Sequence, residues 1–90
     1  MKKIGVIGLG YVGMSIAALL SRQHVVSVFD IDKNKMELAS KNISTVQDPS
    51  INEFFQQNQT KIKAVDKISL YNDSEIIFIA TPTNYDVKNG

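Results

Sequence analysis

The sequence predicts an α/β fold, a partial doubly wound parallel sheet of about four strands in the order 3-2-1-4 with flanking helices. Three observations predict it. Short apolar runs rich in β-branched residues alternate with stretches of helical spacing. A glycine hexad, Gly8-Leu9-Gly10-Tyr11-Val12-Gly13, joins the first run to the first helical stretch. The last run, Ile76-Ile77-Phe78-Ile79-Ala80, is apolar without a break, which suggests burial on both faces in the middle of a parallel sheet.

Lys3-Ile4-Gly5-Val6-Ile7 reads as the first strand, and Val12, Ile16, Leu19 and Leu20 give the following helix its apolar spacing. Val25-Val26-Ser27-Val28-Phe29 is the second strand, ending in Asp30. A short helix follows near Lys33 to Lys41, with Asp32 as its N-cap and Met36 and Ala39 facing inward. Asn42 stands where a left-handed residue commonly ends a helix. The next helix starts within Asp48-Pro49-Ser50-Ile51-Asn52-Glu53. Either Asp48 caps with Pro49 at the first helical position, or Ser50 caps with Glu53 closing the box. Ile51, Phe54 and Phe55 form its apolar side. A short strand lies near Ile62-Lys63-Ala64-Val65, and Asp66 caps a brief helix carrying Ile68, Leu70 and Tyr71.

A strand, a G-x-G-x-x-G turn and a helix in that order form the phosphate-cradling start of a dinucleotide-binding unit. Gly8 lets the chain turn sharply off the strand. Gly10 leaves room for a pyrophosphate against the backbone, and Gly13 lets the helix sit tightly on the sheet. The N–H groups and dipole of the helix N-terminus attract the anion. Tyr11 and Val12 fill the variable positions of the turn, with packing the simpler role for the Val12 side chain. Asp30, at the end of the second strand, suits acceptance of hydrogen bonds from both adenosine ribose hydroxyls. It would repel the extra phosphate of NADP, and the only arginine is Arg22, so the sequence favours NAD. Asp30 also reads as a turn or cap residue. Lys35 can reach the ribose, or be solvated surface. Thr81 and Thr83 follow the fourth strand, beyond the strand C-termini where open α/β sheets bind ligands. Thr83 can donate to the cofactor or simply end the strand.

His24, the only histidine, reads as a surface-turn residue, Met14 and Met36 as core filler, and Asp73 and Glu75 as a solvated turn. No catalytic dyad, triad or metal cluster is recognisable, so no residue receives a catalytic or metal role. With 43% hydrophobic and 21% charged residues, the chain has the composition of a soluble globular domain. A net charge of +1 supplies no field to draw it to nucleic acid or membrane. It has no cysteine, hence no disulfide framework or thiolate metal site. Two lysines precede the first apolar run, but glycines interrupt it and no small-residue cleavage site follows, so a cytoplasmic location is expected.

Ile7-Gly8-Leu9-Gly10-Tyr11-Val12-Gly13, Asp30-Ile31-Asp32 with Lys35, Gln47-Asp48 before a helix, and Ala80-Thr81-Pro82-Thr83-Asn84-Tyr85 together resemble a known family. The chain is similar over essentially its whole length to the N-terminal, Rossmann-type NAD-binding domain of the UDP-glucose/GDP-mannose dehydrogenases. Asn84-Tyr85 after Thr83 points to the UDP-glucose branch. The resemblance implies that Gly8, Gly10, Tyr11, Val12 and Gly13 line the NAD pyrophosphate, that Asp30 and Lys35 hold the adenosine ribose, and that Thr83 contacts the cofactor. Family members oxidise the sugar C6 alcohol to a carboxylate in two NAD-dependent steps through a downstream cysteine, making a polysaccharide precursor. Residues 1–90 then correspond to the N-terminal part of the dinucleotide-binding domain. The catalytic and substrate domains are absent, the UDP-sugar substrate belongs only to a full-length parent, and the fragment alone is expected to be inactive. Two departures stand out: Asn42 replaces a usual glycine, and Thr45 replaces a frequent proline, which is expected to make that loop less rigid without touching the cofactor residues. The competing readings are a sister enzyme acting on UDP-N-acetylmannosamine or GDP-mannose, and a nucleotide-sensing regulatory domain, which needs no Thr-Pro-Thr loop. A sheet that stops at its fourth strand would leave residues 76–80 as an apolar edge, so self-association or marginal stability is expected.

Overall fold

A computed structural model describes residues 2–58 and 62–80 of the 90-residue chain. The elements run β1 (Lys3–Ile7), α1 (Tyr11–Leu20), β2 (Val25–Phe29), α2 (Lys33–Ser40), α3 (Pro49–Asn58), β3 (Ile62–Ala64), α4 (Lys67–Asp73) and β4 (Ile76–Ile79). The four strands form one parallel sheet in the order β3-β2-β1-β4, as the alternation of runs predicts. The strand order reverses direction at β1, so the crevice outside the C-terminal ends of β1 and β4 is the place where open α/β sheets take ligands.

Pairing sets which residues share a face. Ile4 lies opposite Val26 and Val6 opposite Val28. With Leu9, Met14, Ala17, Ala18, Ala39, Ile51, Phe55 and Ile62 they make one buried cluster, roofed by α1, α2 and α3. Strand residues alternate faces, so Gly5 and its partner Ser27 point the other way, toward α4. A β-carbon on Gly5 would stand 2.6 Å from Leu70 Cδ2 and 2.5 Å from Ser74 Oγ. The missing side chain therefore lets Leu70, the one fully buried residue of α4, settle on the central strand.

Helix ends follow local chemistry. The Asp32 carboxylate accepts from the Asn34 and Lys35 N–H groups at the start of α2, and Asp66 accepts from Ser69 N–H at the start of α4. Of the two possible starts for α3, the chain uses Asp48, whose Oδ1 accepts from Ile51 N–H at 3.1 Å, with Pro49 first in the helix. Helix α2 ends with Asn42 at φ 57°. The Asn42 and Ile43 N–H groups donate back to the Ala39 and Leu38 carbonyls, a Schellman ending. Asn42 also does what glycine cannot, because its Oδ1 accepts from Ile62 N–H at 3.0 Å and fixes the start of β3.

Packing departs from the expectations at α1 and β4. On α1 the buried residues are Gly13, Met14, Ala17 and Ala18, whereas Val12 is 53% and Leu19 62% exposed. The close approach that Gly13 permits turns the small-residue face to the sheet, so the Val12 side chain faces solvent instead of packing. On α4, Ile68 and Tyr71 are exposed, since a seven-residue helix lying flat on Gly5 buries only the Leu70 side. The uninterrupted run of β4 is not buried on both faces. It pairs only with β1 among the described strands, and Ile76, Phe78 and Ile79 are exposed, because no described element lies beyond it.

Candidate functional site

Gly8, Asp30 and Ala80 each follow a residue of one registered row, respectively Ile7, Phe29 and Ile79. The chain leaves the sheet here through a ladder of main-chain bonds. Gly8 N–H donates to the Phe29 carbonyl at 2.8 Å, and Ala80 N–H to the Ile7 carbonyl at 2.8 Å. Gly8 sits at φ 99°, a conformation that L side chains rarely adopt, and a β-carbon there would overlap the Ala80 carbonyl. A β-carbon on Gly13 would overlap the Gly8 carbonyl. These two glycines are thus required by the protein's own packing.

Gly10 differs. It is the N-cap of α1 at φ −80° and ψ −160°, with no side-chain cap. Among the described residues a β-carbon there would meet no atom within 4 Å. Among the described residues nothing accepts from the N–H groups of Gly10, Tyr11, Val12 or Gly13. Space at Gly10, free donors and the positive end of a helix dipole are what a pyrophosphate needs, so the residues present fit the diphosphate of a dinucleotide.

The Asp30 carboxylate points into this turn. Its Oδ2 accepts from Leu9 N–H at 2.7 Å and its Oδ1 from Asp32 N–H at 2.8 Å. Each carboxylate oxygen has a second acceptor site, so acceptor capacity remains for a ribose. Its own N–H donates to Met36 Sδ at 3.2 Å, which gives Met36 a role beyond core filling. Lys35 is half-buried in the first turn of α2, immediately past Asp30 and Asp32, and among the described residues no ion pair claims its ammonium. Thr83, like Thr81 and the rest of residues 81–90, lies outside the described residues. Arg22 is at the far end of α1 from the glycine turn, over the Phe54 ring at 5.7 Å.

Two contacts at the turn are not visible in the sequence. Thr45 Oγ1 donates to the Leu9 carbonyl at 2.5 Å. The substitution therefore tethers its loop to the glycine turn, contrary to the expectation that it loosens the loop and stays clear of the site. The Tyr11 hydroxyl donates to Asp48 Oδ2 at 2.5 Å. That bond and the Asp48 charge raise the Tyr11 pKa above its ordinary 10.0; the Tyr11 hydroxyl, helped by the Ile51 N–H, lowers that of Asp48 below 3.8. Both link positions far apart in the chain, and only the capping role of Asp48 had a local signal. His24 is half-buried, and its Nδ1 accepts from Lys2 N–H at 3.0 Å. Glu75 is tied down as well, accepting from Lys3 N–H at 3.1 Å. No group of metal-ligating side chains occurs among the described residues.

A family model for the UDP-glucose/GDP-mannose dehydrogenase family, NAD binding domain, matches residues 2–89. The UDP-glucose 6-dehydrogenase of Streptococcus pneumoniae is 41% identical over 86 residues, which are 94% of this chain and 22% of that protein. The enzyme of the same name from Campylobacter jejuni is 39% identical over 87 residues, 93% of this chain and 22% of that protein. Among solved structures, a ternary complex of GDP-mannose dehydrogenase from Pseudomonas aeruginosa superposes with a TM-score of 0.83 at 31% identity, covering all of this chain and 21% of that one. This chain spans about a fifth of the length of these relatives. Its Rossmann-type sheet, its glycine turn and the match over residues 2–89 agree: the chain belongs to the UDP-glucose/GDP-mannose dehydrogenase family, to its NAD binding domain.

Proposed function

We propose that this chain grips NAD at the mouth of α1 and that it is the N-terminal part of a UDP-glucose 6-dehydrogenase. The observation that carries the first half is Gly10, which among the described residues has open space where its β-carbon would be, lies among four N–H groups that no described residue accepts from, and adjoins Leu9, whose N–H donates to the Asp30 carboxylate. The pyrophosphate lies against Gly8, Gly10, Tyr11, Val12 and Gly13. Asp30 accepts from the adenosine ribose hydroxyls, Lys35 holds the same sugar, and Thr83 contacts the cofactor. A 2′-phosphate would meet the Asp30 carboxylate, so NAD is preferred to NADP.

When bound, NAD supplies a hydride acceptor. In the parent reaction UDP-glucose is oxidised at C6 to UDP-glucuronate, two NAD being reduced and water supplying the added oxygen. That product feeds polysaccharide synthesis, and the reaction belongs in the cytoplasm. No helix among the described residues is long and apolar enough to cross a membrane. The names and identities of the relatives from Streptococcus pneumoniae and Campylobacter jejuni favour UDP-glucose over the sister substrates. The UDP-sugar site and the family's cysteine chemistry lie outside these 90 residues, which hold no cysteine. By itself the chain binds NAD without turnover, and it associates with a second copy through the edge of residues 76–80.

Two measurements test this reading. Titration calorimetry with NAD should give a saturable one-site isotherm, and NADP should bind much more weakly; a flat isotherm with NAD refutes cofactor binding by this chain. Incubation with UDP-glucose and NAD should produce no NADH absorbance, and turnover above background would refute the assignment as a part lacking the catalytic residues.

A further inference from the structure

We infer that Thr45 is a positioning residue for the cofactor turn, which holds the Leu9–Gly10 peptide so that the Gly10 N–H faces the anion. The inference rests on the reading that this turn binds the NAD pyrophosphate.

Leu9 is held at three points. Its side chain is fully buried, its N–H donates to Asp30 Oδ2 at 2.7 Å, and its carbonyl accepts from Thr45 Oγ1 at 2.5 Å. The next peptide is trans and planar, as are all described peptides in lacking a cis bond, so its C=O and N–H point in opposite directions. Fixing the Leu9 oxygen on Thr45 therefore aims the Gly10 N–H away from Thr45. On its C-terminal side Gly10 is held by its carbonyl, which accepts from Met14 N–H at 2.9 Å, and it adds no side-chain contact of its own, since a β-carbon there would meet no described atom within 4 Å.

Thr45 is itself well held. Ser44 Oγ donates to the Val46 carbonyl at 2.9 Å and accepts from Val46 N–H at 3.1 Å, folding the loop around Thr45. The Schellman ending at Asn42 fixes the segment on one side. On the other, Asp48 caps α3 and holds the Tyr11 hydroxyl. The 42–48 segment thus straps the glycine turn on both sides of Gly10, at Leu9 through a main-chain oxygen and at Tyr11 through the ring. A proline at this position has no hydroxyl and cannot make the Leu9 bond, so the device belongs to the threonine.

The test compares Thr45→Val, which keeps the shape and removes the hydroxyl, with Thr45→Ser, which keeps the hydroxyl. In the NAD-free chain, Thr45→Val should move the Leu9 carbonyl carbon resonance upfield and shift the Gly10 amide, and Thr45→Ser should restore both. NAD should bind Thr45→Val about fivefold more weakly, the size expected for one lost hydrogen bond, with Thr45→Ser close to the parent chain. Unchanged Leu9 and Gly10 resonances in Thr45→Val overturn the inference, whatever NAD does. So does parental NAD affinity in Thr45→Val, or failure of Thr45→Ser to restore it. Absence of NAD binding by the parent chain instead removes the functional reading, and the NAD-free spectra still decide whether Thr45 orients the peptide.

Discussion

Asp30 Oδ2 accepts the main-chain N–H of Leu9 at 2.7 Å, across the gap between the end of β2 and the glycine turn. The acid is thus part of the turn's own construction as well as its proposed ribose ligand. Two N–H donors, Leu9 and Asp32, converge on its two oxygens. An asparagine can serve only one of them and must present its amide to the other. Asp30→Asn should therefore cost about 1–2 kcal/mol of stability in addition to weakening NAD. A denaturant melt run beside an NAD titration separates the two effects. Loss of NAD affinity at parental stability would show that the Leu9 bond contributes nothing to the fold.

Gly10 and Gly13 should respond in opposite ways to one added methyl. At Gly13 the new carbon overlaps the Gly8 carbonyl, a main-chain atom that cannot swing aside. Gly13→Ala should lose about 2–3 kcal/mol as α1 is pushed off the sheet. At Gly10 the new carbon would meet no described atom within 4 Å and the backbone is extended, so Gly10→Ala should cost less than about 1 kcal/mol. The methyl would nevertheless occupy the space assigned to the pyrophosphate, and NAD binding should fall by at least about tenfold. Thermal melts and calorimetry on both variants check this. A Gly10→Ala chain that binds NAD as well as the parent would move the diphosphate elsewhere.

The Tyr11–Asp48 pair gives stability a pH dependence at both extremes. The folded pKa of Asp48 lies below its unfolded 3.8, so its contribution is present above that value and fades as pH falls through the folded pKa. The folded pKa of Tyr11 lies above 10.0, so its contribution is intact below 10.0 and is lost as pH rises through the folded pKa. Asp48→Asn keeps a good helix cap and removes the charge. In that variant Tyr11 should titrate closer to its ordinary value, read from the phenolic carbon resonance. An unchanged Tyr11 midpoint would mean that the pair is not formed in solution.

Much of the fold is written in local signals, which is why it could be read from the sequence. Asp32 and Asp66 cap because a short acceptor precedes a helical stretch, and Asn42 ends α2 because it tolerates a left-handed backbone. The hexad brings Gly8, Gly10 and Gly13 to the mouth of α1, and strand length brings Asp30 to the same edge. What escaped the sequence depends on contacts between distant positions. No pattern near Thr45 announces Leu9, and none near Tyr11 announces Asp48. For Val12, apolar spacing favours one stripe of α1, while the close approach at Gly13 selects another. The composition of β4 suits a strand flanked on both sides, and composition does not say whether those neighbours are present.

That same strand yields the last expectation. β4 hydrogen-bonds to β1 alone among the described strands, and it presents Ile76, Phe78 and Ile79, the last 60% exposed. An apolar strand with a free row of main-chain donors and acceptors pairs readily with another. Two copies of this chain joined along β4 would cover those side chains and satisfy that row. Sedimentation at increasing concentration should show a dimer or larger species, and Ile79→Lys, placing a charge on the edge, should shift it to monomer with an unchanged circular dichroism spectrum. A parent chain that stays monomeric at the highest concentration would rule the pairing out, and dimers that survive Ile79→Lys would put the contact on another surface.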